Sequence, residues 1–294
     1  MIQVTPFEEA RARPRRIAIG TFDGVHIGHR AVIEGADTVL TFEPHPLEVL
    51  HPAAAPKLLM PFEIKRDVLD GIGVRELVVI GFDRDFTKTS ATQFIEEMLI
   101  GKLGAESVSV GENFRFGTGA KGNPAMLAGR SEFQTRIVPM VKESGETVSS
   151  SRIRELIATG RMNEARACLG VPFMLEGKVV EGERRGRELG YPTANLVPDE
   201  RFAIPGHGVY AAFANGMPAA VSIGLRPTFE SELGVLVEVH LLDQDVDLYG
   251  QTLRVAFVER LREEERFDSR EELIAQMDLD VKKTARVCGS FQRP

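Results

Sequence analysis

No stretch of this sequence is apolar for long enough to cross a bilayer. The N-terminal residues 1–16 have no apolar core of the secretory kind, so no export signal is expected there. Cysteine is scarce: Cys168 and Cys288 stand far apart with no neighbouring His/Cys spacing. That pattern excludes a disulfide framework or a zinc cluster and reads as reduced thiols in a cytoplasmic protein. Excess positive charge is missing too. The net charge is −7, which argues against a nucleic-acid partner held by bulk charge, though not against nucleotides that need only a local cationic cluster. No internal repeat or low-complexity tract is present, and nothing in the sequence fixes the oligomeric state.

What is present is a chain of 294 residues with two textures. The first half alternates strand and helix patterns. Strands are expected at residues 16–20, 38–42, 76–82, 107–111 and 134–141, with helices at 62–70 and 90–99 between them. Thr5, Pro6 and Glu8 have the spacing of a helix start. This order predicts a parallel sheet covered on both faces, with ligands at the carboxyl ends of its strands. Residues 149–168 predict two short helices broken at Gly160 and stopped at Gly170. From 173 to 260 short alternating runs at 173–180, 208–214, 219–223, 236–242 and 253–259 predict an antiparallel barrel. A last helix should start at Ser269 with Glu272 completing its capping box. The expected domains are 1–170 and 171–294.

The polar motifs fall at strand ends. After the first apolar run comes Gly20-Thr-Phe22-Asp23-Gly24-Val-His26-Ile-Gly28-His29. A strand turning through glycines into a helix presents free N–H groups, and two imidazoles three residues apart add donors for phosphate. Thr41-Phe-Glu-Pro-His-Pro46 leaves the next strand through a stiff exit that denies it helical continuation and shapes a pocket wall, with His45 open as to role. Asn113, Phe114, Arg115 and Phe116 alternate in a shelf suited to a planar ring. Ser149-Ser150-Ser-Arg-Ile-Arg154 puts arginines where a helix dipole prefers acids, which a phosphate partner would explain. In the second half, Gly182, Arg184, Gly186, Arg187 and Gly190 form a basic glycine loop that can fold over phosphates; a plain solvated hairpin fits the same loop. Thr193 and Asn195, two apart in an extended segment, pair a hydroxyl with an amide oxygen, a set that suits a hydrated Mg²⁺. Glu238 interrupts an apolar strand and reads as a salt-bridged residue or a general base, with His240 on its face.

In combination these motifs, with Gly208-Val-Tyr210, Ile223-Gly-Leu-Arg-Pro-Thr228 and Asp247-Leu-Tyr-Gly250, resemble the bacterial bifunctional riboflavin kinase/FMN adenylyltransferases over residues 15–286. The resemblance implies a Rossmann-like nucleotidyltransferase domain followed by a six-stranded riboflavin kinase barrel with a terminal helix. It implies ATP, riboflavin and FMN as substrates, FAD as product, and Mg²⁺. Glu238 matches the family's catalytic base, Thr193 and Asn195 its metal and phosphate ligands, the 182–190 loop its phosphate cover, and Arg262 a segment closing near the flavin. His26 and His29 match phosphate-binding histidines, Asn113 a residue near the reacting phosphates, and Ser150 and Arg154 holders of the leaving phosphates. Neither half offers an activated Ser or Cys nucleophile, and direct displacement needs none.

One departure stands out. Between His29 and Thr41 the chain is shorter than the usual family spacing by roughly ten residues, about three helical turns. The helix after the histidines should therefore be stunted, from His29 to about Glu34, and should fray more easily. Two alternatives stay open at this level: a kinase with an impaired adenylyltransferase domain, and a non-catalytic flavin-binding protein. A change of acceptor, as in pantetheine-phosphate or glycerol-phosphate nucleotidyltransferases, would not supply Pro-Thr-Ala-Asn.

Overall fold

Short apolar runs bounded by turn residues build the first layer. A computed structural model describes residues 1–181, 190–225, 234–244, 246 and 248–291. The chain forms two compact units, Met1–Pro56 with Phe62–Ser150, and Lys57–Pro61 with Ser151–Pro294.

In the first unit six strands, β1 (Gln3–Pro6), β2 (Arg15–Ile19), β3 (Thr38–Glu43), β4 (Glu76–Gly81), β5 (Ala105–Gly111) and β6 (Gln134–Val138), lie in the order β1-β4-β3-β2-β5-β6. Every pairing is parallel. Ile17, Ile19, Leu40, Val78, Ile80, Val108 and Val110 are buried at 2% exposure or less, so the strands read as near-continuous apolar runs. β2 has β3 on one side and β5 on the other, so the order reverses there and a crevice opens at the strand ends.

The helix expected at Thr5 is instead β1, paired with β4, and only Phe7–Glu9 turns as a 3₁₀ segment. The Thr5 hydroxyl donates to Glu76 Oε1 at 3.1 Å rather than capping a helix. Glu76 is 3% exposed and also accepts from Arg15 and Arg13, a buried charge matched by its partners. The Ser90–Gln93 capping box forms as read, both bonds at 3.1 Å. Beyond Gln93 the bonding widens to a π-helix over Phe94–Lys102. Such widened turns are rare and recur at functional sites.

The first unit also carries α1 (Ile27–Ile33), α2 (Pro46–Leu50), α3 (Phe62–Gly71), α4 (Ala91–Gln93), α5 (Pro124–Ala128) and a hairpin of β7 (Lys142–Glu143) with β8 (Glu146–Thr147). α6 (Ser150–Ala158), which starts at the last residue of that unit, and α7 (Met162–Leu169) precede the barrel, and Gly170 closes α7 at φ +75°. The barrel strands are β9 (Phe173–Val180), β10 (Ala194–Pro198), β11 (Gly208–Ala214), β12 (Met217–Leu225), β13 (Val235–Leu241) and β14 (Thr252–Arg262). They close in the order β10-β13-β12-β11-β14-β9, with all six seams antiparallel. Closure removes open edges. β10 was not anticipated as a strand, because its Pro-Thr-Ala-Asn start carries no apolar alternation. The terminal helix, Arg270–Ser290, packs on β11, β12 and β14. Ser269 caps it, accepting from the Glu272 N–H at 3.2 Å, while the Glu272 carboxylate accepts from Asp268 instead of closing the box. Both cysteines are buried.

Candidate active sites

The crevice of the first unit holds a cavity of about 760 Å³. It is walled by the exits of β2, β3, β5 and β6, and its lining includes Gly20, Phe22, His26, Gly28, His29, Asn113, Phe114, Arg115, Phe116 and Ser150. The β2 exit is a tight turn in which Phe22, Gly24 and Val25 take φ of +50°, +91° and +39°. Two non-glycine residues at positive φ are a costly local arrangement, of the kind that collects at functional sites. The buried Asp23 offers its carbonyl to the Ser150 hydroxyl at 2.9 Å, a bond within the first unit.

The helix α1 runs Ile27–Ile33, so it begins two residues before His29. His26, not His29, is its cap: His26 Nδ1 accepts from the His29 N–H at 3.1 Å. The two rings stack at 3.5 Å between centroids and 14° between planes, with Phe22 edge-on to His29 at 5.4 Å. Burial drives the His26 pKa down to about 4. His29 is held well below its ordinary value by burial first, then by His26 and Lys65. Both imidazoles are therefore neutral near pH 7 and act as N–H donors, not as cations. His29 Nδ1 is buried and has no hydrogen-bond partner among the described residues.

Phe114 and Phe116 lie 5.5 Å apart at 20°, but Phe116 is buried and packs on Phe94. The shelf is thus half core and half pocket wall, with Arg115 exposed and donating to the Phe114 carbonyl. Gly117 closes the motif at φ +71°, where a Cβ would stand 2.5 Å from the Ala91 nitrogen. Contrary to the expected lack of helix after Thr41–Pro46, Pro46 starts the short helix α2 (Pro46–Leu50), capped by His45. An aromatic trio was missed in the sequence. Phe42, Phe82 and Phe86 line the cavity with centroids 5.3–6.0 Å apart. Its only sequence signal is the i, i+4 pair Phe82/Phe86 just beyond β4. Arg154 is not brought to the cavity lining: it belongs to the second unit, where its Nε donates to the Lys57 carbonyl.

The second constellation lies on the barrel. In the β10–β13 ladder Asn195 stands directly opposite Glu238. Facing residues share one side of the sheet, and alternation adds His240 to that side, with Thr193 just before β10. Val237, Val239 and Leu241 take the interior face, leaving Glu238 half-buried rather than sealed in the core. His240 Nδ1 lies 2.9 Å from the Pro192 carbonyl and so carries the proton toward it. Tyr191 meets the His240 ring edge-on at 5.4 Å and donates to Asp278 on the terminal helix. That hydrogen bond, then burial, pushes the Tyr191 pKa up to about 12. Arg262 ends β14 with its guanidinium fork on Asp280, Nη2 to Oδ2 at 2.9 Å, and its flat face over Phe267. Gly190 turns at φ +88°, while Gly182, Arg184, Gly186 and Arg187 lie outside the described residues. Among the described residues no group of three His, Cys, Asp or Glu could hold a metal, and no helix is long and apolar enough to cross a membrane.

Comparison with known proteins matches both halves of the chain. The family described as FAD synthetase matches residues 8–152, and that described as Riboflavin kinase matches residues 169–288. The bifunctional riboflavin kinase/FMN adenylyltransferase of Escherichia coli (strain K12) is 37% identical, covering 95% of this chain and 94% of its own length. That of Listeria monocytogenes is 34% identical over 91% and 90%. Among solved structures, a chain from Streptococcus pneumoniae described as a macrolide-efflux protein superposes with a TM-score of 0.87 at 30% identity, covering 96% of this chain and 99% of that one.

Proposed function

Since this chain belongs to the bifunctional riboflavin kinase/FMN adenylyltransferase family, we propose how its residues divide the two reactions. The protein phosphorylates riboflavin to FMN with ATP, then adenylylates FMN to FAD with release of pyrophosphate. The first step belongs to the barrel. The Glu238 carboxylate takes the proton of the riboflavin 5′-hydroxyl as that oxygen attacks the γ-phosphorus of ATP and ADP leaves. The observation that carries this reading is the register that sets Asn195 opposite Glu238. The Thr193 hydroxyl and Asn195 amide oxygen fit a Mg²⁺ that keeps most of its water and neutralises nucleotide phosphate charge when bound. Arg262, held by Asp280, presents its guanidinium plane at the flavin side, and the 182–190 loop enters this set as phosphate cover through the family resemblance alone.

The second step belongs to the first unit. An FMN phosphate oxygen attacks the α-phosphorus of a second ATP, and no covalent enzyme intermediate is needed. The neutral His26 and His29 donate N–H bonds to phosphate oxygens, where the orphaned His29 Nδ1 supports an absent partner. Asn113 and Ser150 add polar contacts, Gly20 to Gly28 supply close backbone, and Phe114, Arg115, Phe116 and the Phe42/Phe82/Phe86 trio receive the ring. Arg154 enters this set through the family resemblance alone. The short α1 keeps both imidazoles stacked at the cavity, which supports an active first unit over an impaired one.

The test uses purified protein with riboflavin, ATP and Mg²⁺, products resolved by chromatography. Glu238→Ala should abolish FMN formation but spare FAD formation from supplied FMN; His29→Ala should do the reverse. Loss of both activities in either folded variant would refute the division.

A further inference from the structure

The shortened α1 poses a mechanical problem. A helix of seven residues has few internal hydrogen bonds, and its last four carbonyls have no partner within it. Yet His26 and His29 must keep their geometry on it. The Arg30 carbonyl accepts from the Glu34 N–H at 2.9 Å, and beyond it the chain supplies partners for the carbonyls of Ala31, Ile33 and the cap residue Glu34. The Ala36 N–H donates to the Ile33 carbonyl at 2.9 Å. Arg136, on β6, supplies the rest: Nη1 donates to the Glu34 carbonyl at 2.5 Å and Nη2 to the Ala31 carbonyl at 2.9 Å. The same Nη2 is 2.9 Å from the Glu34 carboxylate. A guanidinium here meets the negative end of the helix with a planar fork that reaches two carbonyls at once, which an ammonium cannot match.

The placement also joins two walls of one cavity. α1 contributes Gly28, His29 and Val32, while the exit of β6 contributes Val138 to Val141. At Gly28 a Cβ would come within 3.9 Å of the Val141 side chain, so the helix start and the β6 exit already run close. Arg136 fixes the other end of the helix to the same strand. We propose that Arg136 is a positioning residue for adenylyl transfer, replacing the missing helical turns by clamping the carboxyl end of α1 to β6. This rests on the assignment of His26 and His29 to that reaction.

Arg136→Ala should lower kcat for FAD formation from FMN by about tenfold, the effect of losing a helix-end clamp, with KM for FMN unchanged. FMN formation by the barrel serves as the control within the same chain and should keep its native rate. Amide exchange should rise in residues 27–37 and stay native elsewhere in the first unit. Arg136→Lys, able to reach one carbonyl, should fall between native and Ala. Glu34→Gln keeps both carbonyl bonds and should be near native, since an exposed ion pair contributes little. If Arg136→Ala does not fold, Arg136→Gln takes its place with the same expectations. A native kcat in the Ala variant, or Lys no better than Ala, overturns the proposal. If His29→Ala itself keeps full adenylyl transfer, the site assignment is what fails.

Discussion

Acidification should weaken the first unit before its carboxylates protonate. His26 is 6% exposed and its pKa is about 4, against 6.5 for the free side chain. A histidine lowered by folding binds its proton more tightly in the unfolded chain. Stability is therefore full above pH 6.5 and drains as pH falls from there toward 4. For His26 alone the loss is about 2 kcal/mol at about pH 5, from the two pKa values and linkage. His29 is shifted the same way and adds to it. Glu76 and Asp37 have lowered pKa values, so their contribution disappears only further down, in the carboxylate range. The assay must see the right unit. The chain has no Trp, and its three tyrosines, Tyr191, Tyr210 and Tyr249, all lie in the second unit. Tyrosine fluorescence thus follows the barrel, and a urea transition seen by far-UV circular dichroism but not by fluorescence reports the sheet. Its midpoint should drop by about 1 M between about pH 7 and about pH 5, for a urea slope of about 2 kcal/mol/M. His26→Gln should flatten that dependence. A midpoint that is level over this range, or a variant with the native slope, would refute the buried neutral imidazole.

Other outcomes follow from the same geometry. Arg15→Ala leaves Glu76 buried with one guanidinium fewer and should cost about 3 kcal/mol, read by urea unfolding. Phe86→Ala opens the aromatic trio and should raise KM for FMN in adenylyl transfer about tenfold while leaving riboflavin phosphorylation intact. Gly117→Ala drives a Cβ into the Ala91 backbone at positive φ, and should destabilise the first unit by about 2 kcal/mol, measured by the same transition.

The parts legible in the sequence were those governed by neighbours along the chain. Ser90 with Gln93 announced a capping box, Gly160 and Gly170 announced breaks, and the apolar runs at Ile17, Val39 and Val108 announced buried strands. The two histidines were legible as a pair because three-residue spacing survives small errors in where a helix starts. β1 was not, because four residues with one buried position carry no period, and Thr-Pro-x-Glu imitates a cap. The aromatic trio draws Phe42 from β3 and Phe82 and Phe86 from beyond β4, so only the sheet order brings them together. The hold of Asp280 on Arg262 likewise depends on how the terminal helix docks, and no local pattern encodes it.

Asn195 and Glu238 owe their separation to a seam of hydrogen bonds, so neither can drift toward or away from the other as a surface loop might. The barrel acts as a ruler. Deleting or inserting one residue within either strand would swing its polar side chain through to the opposite face and exchange it for an aliphatic neighbour. Insertions in this half of the molecule should accordingly be tolerated in the connections between strands and not within β10 or β13.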